Sequence, residues 1–144
     1  MTESQASSAE LAKWLLERLM KEAPAIVSCG LMSADGLPIQ LVGEPHHIAK
    51  DELAAIAAGF ASLARSSGKQ LTGDTTYRQV TVAYGEILLI VQVAGEGAVQ
   101  TAVTKIDADP DAIGYAMEKL RDGVPEVMKA RARESLAVGD PAGP

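Results

Sequence analysis

Residues 78–103, RQVTVAYGEILLIVQVAGEGAVQTAV, decide the fold. Val80, Val82 and Tyr84 alternate with Gln79, Thr81 and Ala83, the period-two pattern of a strand with one wet side. Gly85-Glu86 turns the chain. Ile87–Val93 (ILLIVQV) is apolar on both faces, which predicts a central strand covered above and below. Gly95-Glu96-Gly97 turns the chain again, and Ala98–Thr104 makes the last strand of a meander. The first of the three, taken from Thr75 to Tyr84, is expected at a sheet edge. It lacks the proline and lysine that usually blunt an edge, and Arg78 offers it one charge.

Just upstream, Glu52 to about Arg65 is almost pure helix former, with Asp51 as the expected N-cap and Ser66, Ser67 and Gly68 as the expected stop. Leu53, Ile56, Phe60 and Leu63 form one apolar stripe. Ala54, Ala55, Ala57, Ala58, Gly59, Ala61 and Ala64 stand where a solitary surface helix would carry charge. Further back, Ala25–Ser33 and the alternating residues 37–42 read as two antiparallel strands joined at Ala34-Asp35-Gly36. Pro38 donates no hydrogen bond and suits a strand end or an edge. Ser7 and Glu10 stand at capping-box spacing before a helix over residues 8–22, which Pro24 stops. At the other end, Asp109 and Pro110 open a third helix whose buried stripe is Ile113, Ala116, Met117 and Leu120, ending near Gly123.

The order α-β-β-α-β-β-β-α predicts an α+β fold, a five-stranded antiparallel sheet with helices on both faces. Residues 1–7 read as a flexible N-terminus, 8–124 as the domain, and 125–144 as a charged helical piece followed by a flexible tail. Lys129, Arg131 and Arg133 in that piece read as a solvated face.

Composition narrows the function. The 144 residues are 47% hydrophobic but only 3% aromatic, so the core must be aliphatic and its elements closely spaced. A net charge of -6 argues against a nucleic-acid binder and against an anionic-membrane binder. Cys29 is the single cysteine, so neither an internal disulfide nor a cysteine-cluster metal site is available; within a strand it reads as a small buried hydrophobe. The longest wholly aliphatic run, Ile87 to Val91, is too short to span a bilayer, and MTESQASSAE carries no basic or apolar leader pattern. A cytoplasmic chain is the expectation.

Catalytic motifs are missing as well. Gly68-Lys69 is followed by Gln70 and lacks the upstream glycine of a phosphate-binding loop, and no G-x-G-x-x-G, H-E-x-x-H or G-x-S-x-G is present. His46 and His47 are adjacent, point to opposite sides of an extended chain, and read as an exposed loop pair. The carboxylates are scattered. No catalytic residue, cofactor or metal site is expected, and the chain reads as non-enzymatic.

Two features call for a partner. The small-residue helix could let a like helix approach closely, and the unblunted edge strand could pair across a two-fold axis. Both fall in adjacent elements, so one symmetric contact can use both. The expected homodimer interface is Leu53, Ile56, Ala57, Phe60, Ala61 and Ala64 on the helix with Tyr77, Gln79 and Thr81 on the strand. The alternative is a helix lying wholly over its own sheet beside an edge protected by twist.

Three stretches carry a resemblance: VSCGLMSADGLPIQL (27–41), ELAAIAAGFASLARSSGKQL (52–71) and the meander itself. They contain Ser33-Ala34-Asp35-Gly36-Leu37-Pro38, Ser62-Leu63-Ala64-Arg65 and Gly85-Glu86-Ile87-Leu88-Leu89-Ile90-Val91. The chain resembles the Roadblock / dynein light-chain family over residues 9–122, and its bacterial members in particular, regulators encoded beside small Ras-like GTPases. The resemblance implies a profilin-like shape and a dimer joined through the edge strand, with the second helices packed together. It also implies a platform for a small Ras-like GTPase, in an arrangement with a sensor kinase-like protein. Arg65 and Arg78 are then the candidate partner contacts, conceivably an arginine finger supplied in trans. A pure scaffold is the rival reading. A small-ligand sensor is the third, disfavoured because Val80, Val82, Leu89, Val91, Ile113 and Met117, the expected inward positions, are aliphatic.

Overall fold

The computed structural model describes residues 5–44, 48–95 and 97–139. His46, His47, Glu96 and the outermost parts of both expected flexible termini lie outside the described residues. In chain order the elements are α1 (Ser8–Glu22), β1 (Ile26–Ser33), β2 (Pro38–Gly43), α2 (Lys50–Thr72), β3 (Val80–Ala83), β4 (Ile87–Val93), β5 (Ala98–Lys105), α3 (Pro110–Leu120) and α4 (Val124–Gly139). A short 3-10 turn, Arg121–Gly123, joins the last two helices. The strands form one antiparallel five-stranded sheet in the order β2-β1-β5-β4-β3. This is the expected α+β architecture.

Local chemistry sets most boundaries. The Ser7 hydroxyl accepts from the Glu10 N–H and the Glu10 carboxylate accepts from the Ser7 N–H, which starts α1 where the spacing predicted. The Asp109 carboxylate accepts from the Asp111 N–H at 3.0 Å and Pro110 opens α3.

Two layers cover the sheet. On one face α1, α3 and α4 pack over Cys29, Leu31, Ile90 and Ala102; Leu16, Met117, Val124 and Val127 come down from the helices. On the other face α2 lies alone, and Leu53, Ala54, Ala57 and Ala61 meet Met32, Leu89, Val91 and Val99. Small side chains on the helix let its backbone come close to the large ones of the sheet, which is how a chain poor in aromatics reaches close packing.

Several expectations need correction. Helix α2 begins at Lys50, so Asp51 stands in the first turn rather than at the cap; the Glu52 carboxylate takes the N–H of Ala49, the true cap residue. The helix also runs through Ser66, Ser67 and Gly68. The Ser67 hydroxyl donates back to the Leu63 carbonyl at 2.7 Å, a bond that a helix interior tolerates. The stop comes at Gly73, whose φ of 84° is left-handed and whose N–H bonds the Lys69 carbonyl at 2.9 Å. Strand β3 is shorter than Thr75–Tyr84, because the Asp74 carboxylate accepts from the N–H and hydroxyl of Thr76 and holds the chain in a turn. Ladder pairing begins at Val80, opposite Val91.

The terminal segment differs from the expectation too. Helix α4 starts at Val124, and Val124, Val127 and Ala130 are buried. The Glu134 carboxylate accepts from the backbone N–H of Ser8 at 2.7 Å and from its hydroxyl at 2.6 Å. The expected border at residue 124 therefore falls at the start of a helix that belongs to the same core and also caps the start of α1.

Candidate functional site

The apolar stripe of α2 is divided: Leu53 is buried under the helix and Phe60 is half-buried, while the rest turns outward. Ile56 and Leu63 are 42% and 62% exposed, whereas Ala54, Ala57 and Ala61 are buried. The physical reason is that Met32, Leu89, Val91 and Val99 of the sheet take Leu53 and the small side chains of Ala54, Ala57 and Ala61. Leu71, 83% exposed, lies fifteen residues beyond Ile56, so Ile56, Phe60, Leu63 and Leu71 line one outer face at helical spacing. The alanines, a quarter-turn round, are what the sheet accepts.

The expected interface residues are accordingly divided. Ile56 stands on the outer face, with Phe60 and Ala64 half-buried. Leu53, Ala57 and Ala61 are already buried against their own sheet. Thr81 is exposed in β3, the edge strand. Tyr77 and Gln79 precede the strand rather than lying in it. Tyr77 packs its ring against the α2 side of the core, and burial pushes its phenol pKa up. Gln79 turns its amide to the opposite side of the sheet.

That turn belongs to a buried polar network. The fully buried Gln92 donates to the Gln79 side-chain oxygen at 3.1 Å and to the Gly114 carbonyl at 2.9 Å, and accepts from Arg121 at 3.2 Å. Its cross-strand neighbour Gln100 donates to the Met117 carbonyl at 2.9 Å. Two amides thus hold α3 to β4 and β5, and Gln79 ties the approach to the edge strand into the same set. A Cβ at position 114 would collide with the Gln79 amide oxygen and crowd the Gln92 amide, so any larger residue there has to displace the Gln79 side chain from the network. The sequence signal for this network was the glutamine inside the ILLIVQV run, read only as part of an apolar strand.

The two candidate arginines are not brought together. Arg65 is exposed on α2. Arg78 pairs with Glu118 of α3 at 3.4 Å, on the other side of the sheet, with both groups partly solvated. Cys29 is buried and its thiol is pushed up to about 12 by desolvation. Among the described residues, no group of three or more His, Cys, Asp and Glu side chains converges, and no helix is long and apolar enough to cross a membrane.

A hollow of about 510 Å³ opens beside the N-terminal turns of α2, lined mainly by apolar side chains, among them Val27, Leu53, Ile56, Tyr84 and Ile87, with Glu44 and Glu86 also in its lining. It adjoins the outer α2 stripe at Ile56 and the end of the edge strand at Tyr84. One side of the molecule therefore carries an apolar helix face, an unpaired strand edge and an apolar hollow together.

This is a sheet-and-helix domain of profilin-like shape whose open edge and outer helix lie side by side. The chain belongs to the Roadblock/LC7 domain family, whose model matches residues 12–103. A Roadblock/LC7 domain from Streptomyces avermitilis is similar at 33% identity and a TM-score of 0.72, over 81% of this chain and 96% of that one. Myxococcus xanthus MglB shares the fold at 15% identity and a TM-score of 0.73, over 90% of this chain and 96% of that one. Acanthamoeba castellanii profilin II shares it more loosely, at 15% identity and a TM-score of 0.51, over 76% and 92% of the two chains. No curated protein sequence matches significantly.

Proposed function

We propose that this chain is a homodimeric, non-enzymatic regulator of a small Ras-like GTPase in bacterial signalling, working in the cytoplasm. The observation that carries the reading is the outward aliphatic stripe of α2 beside the unpaired β3 edge. Contiguous apolar surface next to an open edge is costly in an isolated monomer and is relieved by a second copy. Membership of the family supports the GTPase as the further partner.

Two copies would present one broad surface able to favour a single conformation of the GTPase switch regions. Any acceleration of hydrolysis would come from positioning the GTPase's own water-orienting and charge-stabilising groups. Arg65 is the better placed of the two arginines for direct contact. Arg78 already has a carboxylate partner in Glu118, and that pairing favours the scaffold reading, in which the dimer binds without altering turnover.

The test is GTP hydrolysis by the cognate GTPase with wild type, Arg65→Ala and Arg78→Ala. Stimulation by wild type that falls at least tenfold in one arginine variant, with the dimer intact, assigns a trans-acting arginine. Equal stimulation by all three assigns positioning alone. Binding without stimulation establishes the scaffold, and no binding overturns the GTPase assignment.

A further inference from the structure

Helix α2 and strand β3 run in opposite directions along the same side of the molecule. The first turns of α2 stand beside Tyr84 and Ile87, because Leu53 and Ile56 share the hollow with them. The last turn of α2 leads through residues 73–79 to Val80, the opposite end of β3. Pairing of two β3 edges about a two-fold axis is antiparallel and sets Tyr84 of one copy next to Val80 of the other. The hollow of one copy then faces the C-terminal turn of the other copy's α2.

One antiparallel register of the outer α2 face agrees with this. Ile56, Phe60, Leu63, Ser67 and Leu71 recur along it at helical spacing. Two antiparallel helices centred between Leu63 and Ala64 bring Phe60 against Ser67, large on small, and Leu71 against Ile56. Within one chain, Leu71 and Ile56 are about 22 Å apart along the helix at 1.5 Å per residue, so Leu71 cannot reach its own hollow.

We propose that Leu71 of a second copy seats in the hollow beside Ile56 and Tyr84, one at each end of a two-fold dimer, and so sets the register of the paired helices. This rests on the homodimer proposed above. It accounts for a leucine left 83% exposed in the last turn of a long helix, and for a largely apolar hollow walled by α2, β1, β4 and β5 that reaches the end of β3 at Tyr84. Each hollow is complete only when the other copy supplies its leucine.

Cysteine cross-linking of the full chain tests the register separately from the dimer. Cys29 is buried and stays out of the reaction. In the variant carrying both Ile56→Cys and Leu71→Cys, mild oxidation should give a disulfide-linked species near twice the 15.0 kDa chain mass. Each single variant should give none, because like positions lie about 22 Å apart along the paired helices. A wild type that light scattering shows to be dimeric, with no link between positions 56 and 71, overturns the register and leaves the dimer standing. A link from Phe60→Cys alone overturns the register too, by moving the helix crossing to that residue. A wild-type monomer overturns the dimer and the register with it.

Discussion

Replacing Leu63 by aspartate should separate the two copies without unfolding either. Leu63 is 62% exposed, so it contributes little to its own core, and the α2 stripe places it beside its own symmetry mate. Full burial of a leucine side chain is worth about 1.5–3 kcal/mol. Burying the exposed 62% of two such residues stabilises the dimer by about 2–4 kcal/mol, or roughly 30- to 700-fold in Kd at 1.4 kcal/mol per decade. Two carboxylates brought together in a dehydrated contact add further destabilisation. The assay is sedimentation or light scattering over a dilution series, with Leu136→Asp as the control. Leu136, 82% exposed, is a still more open leucine, but it stands on α4 over the other face of the sheet. The expected result is a Leu63→Asp monomer with unchanged circular dichroism and a Leu136→Asp dimer. A dimer of wild-type affinity in Leu63→Asp would refute the placement of the interface, and dissociation by Leu136→Asp would move it to α4.

Glu134→Gln removes the charged acceptor for two donors of Ser8 and should cost about 1–2 kcal/mol in urea unfolding at neutral pH. The Ser8 hydrogen bonds hold the Glu134 pKa below its ordinary 4.5, so the stabilisation is present above that value and is lost as pH falls through the lower folded-state value. Wild type and variant should converge in strong acid; a difference that persists there would contradict the linkage. Gly114→Ala drives a Cβ into the Gln79 amide and should destabilise by about 1–3 kcal/mol. Combined with Gln79→Ala the collision with Gln79 disappears and only the 3.2 Å approach to the Gln92 amide remains, so the double variant should be more stable than the sum of the single effects, whereas strict additivity would remove Gln79 from the account.

Elements governed by neighbours in sequence were legible. The capping box at Ser7 and Glu10, the Asp109-Pro110 start and the turn at Ala34-Asp35-Gly36 depend on a few consecutive residues, and each stands where the spacing placed it. The end of α2 was misread because serine hydroxyls can compete for helix carbonyls or simply bond back to them, and only the left-handed backbone at Gly73 decides between the two. The length of β3 was misread for a similar reason. Thr75 to Gln79 has strand-like composition, but the Asp74 carboxylate captures the following amides before a ladder can form.

The candidate site was half legible. Sequence marked α2 and the edge strand as the pair of elements in want of a partner, because alanines and aliphatic residues replaced charges on a helix beside an unblunted strand. It did not separate the residues of that helix that its own sheet covers, Leu53, Ala57 and Ala61, from those left outside, such as Ile56. Periodicity identifies the stripes of a helix but not which of them a sheet will accept. That depends on the side chains waiting across the gap, here Met32, Leu89, Val91 and Val99, which take Leu53 and the small Ala54, Ala57 and Ala61.

The amino-acid order by itself determined the element sequence, the antiparallel meander and the family, because period, turn and cap are local and survive any packing. The tertiary structure alone decided that α4 completes the core, that Gln79, Gln92, Gln100 and Arg121 form one network around α3, and that Leu63 and Leu71 point outward. Those facts depend on residues far apart in the chain meeting in space, and on which of two apolar faces fits a surface that exists only once the sheet has formed.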